Sequence, residues 1–69
     1  MNWDHVAGNW EQFKGKIKAR WGFLSDDDLD RIAGKRDPLV ATIVERYGIT
    51  KDRVEEALDE FLERLDKAA

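Results

Sequence analysis

Four aspartates crowd five positions, Asp26-Asp27-Asp28 and Asp30, and are the densest cluster of metal-ligating side chains in the chain. A calcium loop of the EF-hand type needs glycine at its sixth position and glutamate at its twelfth. Counted from Asp26, those places hold Arg31 and Asp37, so the pattern fails. A helix start accounts for the cluster more simply. Ser25 stands where a capping residue would, and carboxylates in the first turn oppose the positive end of the helix dipole, worth ~0.3–1 kcal/mol each.

The remaining reactive side chains form no constellation. His5 is the only histidine and there is no cysteine, which excludes a disulfide framework, a thiolate metal site and a histidine-rich zinc shell. The hydroxyls are Ser25, Thr42, Tyr47 and Thr50, and Ser25 and Thr50 read as helix caps. Gly34-Lys35 is followed by arginine and lacks the upstream glycine of a phosphate loop. Nothing here points to catalysis or to a cofactor.

Lys14, Lys16, Lys18 and Arg20, interleaved with Trp10, Phe13 and Trp21, raise nucleic-acid binding, in which cations meet phosphates and aromatic rings stack on bases. On a helix, Lys14 and Lys18 flank one side of the aromatic stripe, and Lys16 and Arg20 flank the other. The charges therefore bracket a buried face instead of forming one strip, the usual arrangement for lysine stems that cover the edge of a core. A net charge of −3 also opposes generic affinity for phosphate. Gly15 is the oddest position, because glycine inside a helix costs roughly 1 kcal/mol relative to alanine. With Ala19 it makes a small-x-x-x-small pair on the face opposite the tryptophans, a shape that would let another helix, or a second copy, approach closely.

The elements that position these residues are helical. The chain has 69 residues, 42% hydrophobic and 39% charged, enough for one domain with a small core. No stretch shows strand alternation between hairpin turns. A first helix runs from a cap at Asn9 to Trp21, with Trp10, Phe13, Ile17 and Trp21 at steps of three and four and Gly22 as a left-handed stop. Residues 1–8 read as a frayed extension, although Trp3 and Val6 continue the same stripe. A short second helix follows Ser25 and ends at Gly34. A third opens with Asp37 as cap and Pro38 in the first position, has Leu39, Val40, Ile43, Val44 and Tyr47 as its apolar face, and stops at Gly48. A fourth starts at Thr50, with Val54, Leu58, Phe61 and Leu65 as its core face, widened by Ala57 and Leu62. In a core this small, nearly every large apolar side chain is needed inside, and the seven aromatics are expected mostly there.

The punctuation is recognisable. Gly8-Asn9-Trp10-Glu11-Gln12-Phe13-Lys14-Gly15-Lys16-Ile17-Lys18, then Trp21-Gly22, Leu24-Ser25-Asp26-Asp27-Asp28, Gly34-Lys35-Arg36-Asp37, Leu39 and Glu45-Arg46-Tyr47-Gly48 resemble the CsbD-like family of small bacterial stress-response proteins. The resemblance covers about residues 8–58, with Ala41 and Val44 departing from the family's common glycine and glutamine. It implies a cytoplasmic, non-catalytic protein raised in general stress, with an all-α fold of four short helices packed as two roughly orthogonal hairpins, similar to SAM-like domains.

The expectation is thus a single domain over 1–69, all-α, without cofactor or metal, acting through abundance or by docking a protein partner. The expected interaction surface is Lys14, Gly15, Lys18, Ala19, Lys35 and Arg36. The competing reading is a nucleic-acid-binding module using Lys14, Lys16, Lys18, Arg20, Lys35 and Arg36. The chain reads as a monomer, with weak dimerisation through Gly15 and Ala19 as the second arrangement. No apolar run approaches the ~18 residues of a membrane span, and the start Met1-Asn2-Trp3-Asp4-His5 lacks the basic and apolar regions of a signal peptide.

Overall fold

The computed structural model describes residues 2–68. Asn2 is extended, and its side-chain oxygen accepts from the His5 backbone N–H at 3.0 Å, which starts helix α1, Trp3–Gly8. This corrects the frayed reading for residues 2–8; Met1 lies outside the described residues. Val6 has no exposed surface, and the Trp3 indole N–H donates to the Gly34 carbonyl at 2.9 Å, so the segment is tied to the body by packing and by a hydrogen bond.

Asn9 then breaks the helical path. Its carbonyl accepts from Gln12 and Phe13 and so opens α2, Trp10–Arg20, as expected. Its side chain does not cap α2; Nδ2 turns back to the His5 carbonyl at 2.9 Å and closes α1. The stripe buries Phe13, Ile17 and Trp21 and leaves Trp10 half-buried, its indole N–H donating to the Leu29 carbonyl at 3.2 Å. Gly22 is not left-handed: α2 ends at Trp21 (φ −120°), and a Leu24 N–H to Trp21 carbonyl bond of 3.1 Å closes the turn and buries Leu24.

Helix α3, Asp26–Ile32, ends on two successive positive-φ residues, Ala33 (φ 51°) and Gly34 (φ 84°). The Lys35 N–H bonds the Ile32 carbonyl at 3.0 Å, leaving Lys35 extended as the cap of α4, Arg36–Tyr47. The cap therefore lies two residues before the expected Asp37, and Pro38 is the third helical residue. That position is tolerated because no N–H in a helix's first turn has an intrahelical acceptor. Gly48 (φ 65°) stops α4 as read from the sequence. Thr50 opens α5, Lys51–Ala68, its hydroxyl accepting from the Arg53 N–H at 3.3 Å.

Among the described residues there are five helices and no strand, one helix more than expected. Neighbours in sequence pack on each other, α1 on α2, α2 on α3, α3 on α4 and α4 on α5, in a body of 31 × 23 × 18 Å. One apolar cluster joins all five, with Ile17, Leu24, Leu29, Leu39, Ile43 and Leu58 fully covered and Trp21 edge-on to Phe61 at 5.3 Å. Tyr47, expected inside, is half-buried. Phe23 is the aromatic that stays outside: it is 69% exposed and stacked on the Tyr47 ring at 4.7 Å. Among the described residues, no helix is long and apolar enough to cross a membrane.

Candidate interaction surface

The aspartate cluster turns inward at one member. The Ser25 hydroxyl accepts from the Asp28 N–H and the Asp28 carboxylate accepts from the Ser25 N–H, both at 3.1 Å, a reciprocal capping box. Asp28 is 3% exposed, which would be costly for a lone carboxylate. Arg46, at the end of α4, answers it with Nε and Nη2 at 3.1 and 3.0 Å, and Arg31 adds a bond of 3.0 Å. The Arg46 fork, followed by the Ser25 N–H, holds the Asp28 carboxyl far below the usual carboxylate range. Asp28 thus ties α3 to α4. Among the described residues, no group of three or more His, Cys, Asp or Glu side chains is placed to hold a metal ion.

The outer aspartates meet the first pair of α2 cations. Lys18 Nζ lies 2.8 Å from Asp26 Oδ1, which lowers the Asp26 pKa. Lys14 lies 3.0 Å from Glu11 and 3.5 Å from Asp30. The second pair faces the other way, as the helical projection requires. Lys16 sits 5.5 Å over the Phe13 ring and Arg20 5.0 Å over Trp21, both cation–π contacts. These two line an open groove of about 340 Å³ between α2 and α5, together with Ala19, Ala57, Glu60, Phe61, Arg64 and Leu65.

The six residues expected to form an interaction surface fall in different surroundings. Lys14 and Lys18 face α3, and Ala19 lines the α2–α5 groove. Gly15 is exposed, with nothing within 4 Å of where a Cβ would stand. Lys35 and Arg36 border a separate depression beside Trp3 and Ala7, where Arg36 bonds Glu55 at 2.7 Å and Asp59 at 3.3 Å. Sequence reasoning missed the Asp28–Arg46 fork, because 18 residues separate its partners and no periodicity links them. It also missed the exposure of Phe23, which lies in the turn between α2 and α3, outside any helical stripe.

The sequence matches the model of the CsbD-like family over residues 4–56. It is similar to the UPF0337 protein YjbJ of Escherichia coli O6:H1, 54% identical over 66 residues that span 96% of each chain. The YjbJ protein of Escherichia coli K12 is 60% identical over 55 residues, 80% of each chain. The UPF0337 protein RPA4217 of Rhodopseudomonas palustris is 51% identical over 65 residues, 94% of this chain and 98% of that protein. No solved structure matches the chain.

Proposed function

The chain belongs to the CsbD-like family, and from that premise we propose that it is a non-enzymatic, cytoplasmic stress-response protein that works by docking a protein partner on an exposed helical surface. The stress role is what the family implies. We include in the proposal the arrangement of its helices as two roughly orthogonal hairpins, similar to SAM-like domains.

The observation that carries the choice of a protein partner over a nucleic acid is the fate of the basic side chains. Lys14 and Lys18 are engaged by carboxylates of α3, Arg36 by two carboxylates of α5, and Arg46 by Asp28. Lys16 and Arg20 project on the opposite edge of α2. A phosphate backbone would have to compete with ion pairs already formed, and against a net charge of −3.

Titration with duplex and single-stranded DNA at low salt tests this directly. The proposal expects no saturable binding at micromolar protein. Binding that disappears on Lys14→Glu with Lys18→Glu, and falls steeply between about 50 and 200 mM salt, would replace it with the nucleic-acid reading. The docking arm is tested in a strain lacking the protein. Folded surface variants that fail to restore stress survival, while accumulating to the wild-type level, are the expected result. Full rescue by every such variant would leave abundance alone as the explanation.

A further inference from the structure

The groove between α2 and α5 joins an apolar floor to positive charge on one wall. Its floor is apolar, with Ala19, Ala57, Phe61 and Leu65, and its α2 wall carries Lys16 and Arg20. No carboxylate among the described residues pairs with either cation, whereas the other two basic residues of α2, Lys14 and Lys18, are both paired. The opposite wall carries Arg64 and Glu60, which satisfy one another at 3.0 Å. The groove therefore presents uncompensated positive charge along an apolar channel on a protein whose net charge is −3.

We propose that this groove docks an amphipathic helical segment of a partner protein, with apolar side chains on its buried face and carboxylates along the edge that meets Lys16 and Arg20. The proposal rests on the partner-docking reading above and names its site and the partner's chemistry. Three considerations select this occupant. The lining on α5 runs from Ala57 to Leu65, about 12 Å of helix, which matches two turns of a facing helix and its i, i+4 and i+7 anchors. Ala19 and Ala57 on the floor carry only methyl groups and let a second backbone come close. A flat anionic bilayer would meet the same cations but could not enter a concave channel.

The test uses the full chain and a capped, synthetic 15-residue helical peptide with leucine at heptad spacing, glutamate on the flanks and alanine between, and a second peptide with lysine replacing every glutamate. Amide chemical shifts of the isotope-labelled protein report the site. The acidic peptide is expected to shift resonances of residues 15–20 and 57–65, and the lysine peptide is not. Lys16→Glu with Arg20→Glu should weaken the acidic peptide by about tenfold or more and create affinity for the lysine peptide. Both side chains also lie over aromatic rings, so Lys16→Gln with Arg20→Gln serves as a milder variant that should weaken the acidic peptide alone. Equal binding of both peptides, shifts centred on Phe23 and Tyr47, or no groove shifts at millimolar peptide would overturn the assignment. So would binding to phosphatidylglycerol vesicles that is lost in the charge-reversed variant. These outcomes are separable from failure of the docking reading, which is decided by rescue of stress survival by variants elsewhere on the surface.

Discussion

Replacing Gly34 with alanine probes the contact that holds α1 to the rest of the fold. Gly34 has φ 84°, where a side chain costs about 1–2 kcal/mol. A Cβ placed there would stand 3.2 Å from the Ala7 carbonyl oxygen and 3.4 Å from its Cα, both backbone atoms of α1. The helix would have to retreat by a few tenths of an ångström. That movement strains the 2.9 Å bond from the Trp3 indole to the Gly34 carbonyl, and a bond of this kind contributes roughly 0.5–1.5 kcal/mol. The combined cost is about 2–3 kcal/mol. In a chain this short each kcal/mol moves the Tm by ~4–8 °C, so the midpoint should fall by about 10–20 °C. Gly48→Ala is the matched control: its φ is 65° but nothing lies within 4 Å of the new Cβ, so it bears the conformational cost alone. Thermal melts by circular dichroism compare the two, and tryptophan emission reports the surroundings of Trp3. Gly34→Ala should be the more damaging, and its excess should shrink in a Trp3→Phe background. If the two glycine variants melt together, the close approach of α1 to the α3–α4 turn is refuted.

Ile43→Ala, at a position with no exposed surface, should cost about 2–5 kcal/mol in urea unfolding, and a loss below 1 kcal/mol would move Ile43 out of the core. The pH dependence follows from Asp28, whose folded pKa is lowered below its unfolded value near 3.9. Its contribution is complete above that unfolded value and is lost as pH falls through the folded one. Asp28→Asn should therefore be the less stable protein at pH 7, with the gap closing below about pH 4; a gap constant down to acid unfolding would contradict the fork to Arg46. Phe23→Ser removes an exposed ring stacked only on Tyr47 and should cost under about 1 kcal/mol by thermal melting, and a larger loss would show that the pair supports the fold.

The sequence alone determined the helical segments wherever local chemistry decides them. The steps of three and four from Trp10 through Phe13 and Ile17 to Trp21 specify one inward face of α2, and Ser25, Thr50 and Gly48 mark ends whose hydrogen bonds close within a few residues. The same projection placed Lys14 and Lys18 opposite Lys16 and Arg20, because a helix allows no other arrangement. The family punctuation was legible for the same reason, being a string of local stops and caps.

Decisions that depend on distant partners belonged to the tertiary structure. Residues 3–8 hold a helix because Gly34 offers Trp3 a carbonyl and because Val6 finds the core, and neither partner is visible from the N-terminal segment. The start of α4 moved from Asp37 to Lys35 because the Ala33-Gly34 turn sets where the chain can re-enter a helix. Asp28 stands three residues after Ser25, the capping-box spacing, but its burial is not local: it alone of the three aspartates is covered, and Arg46 arrives from another helix to neutralise it. Phe23 and Leu24 share one turn, yet Leu24 enters the core while Phe23 faces outward onto the Tyr47 ring, a split set by the path of the chain between α2 and α3. The groove at Lys16 and Arg20 exists because α5 packs beside α2, and that juxtaposition is set by the shared core of Ile17, Trp21, Leu58 and Phe61, a balance of buried apolar surface that no single segment encodes.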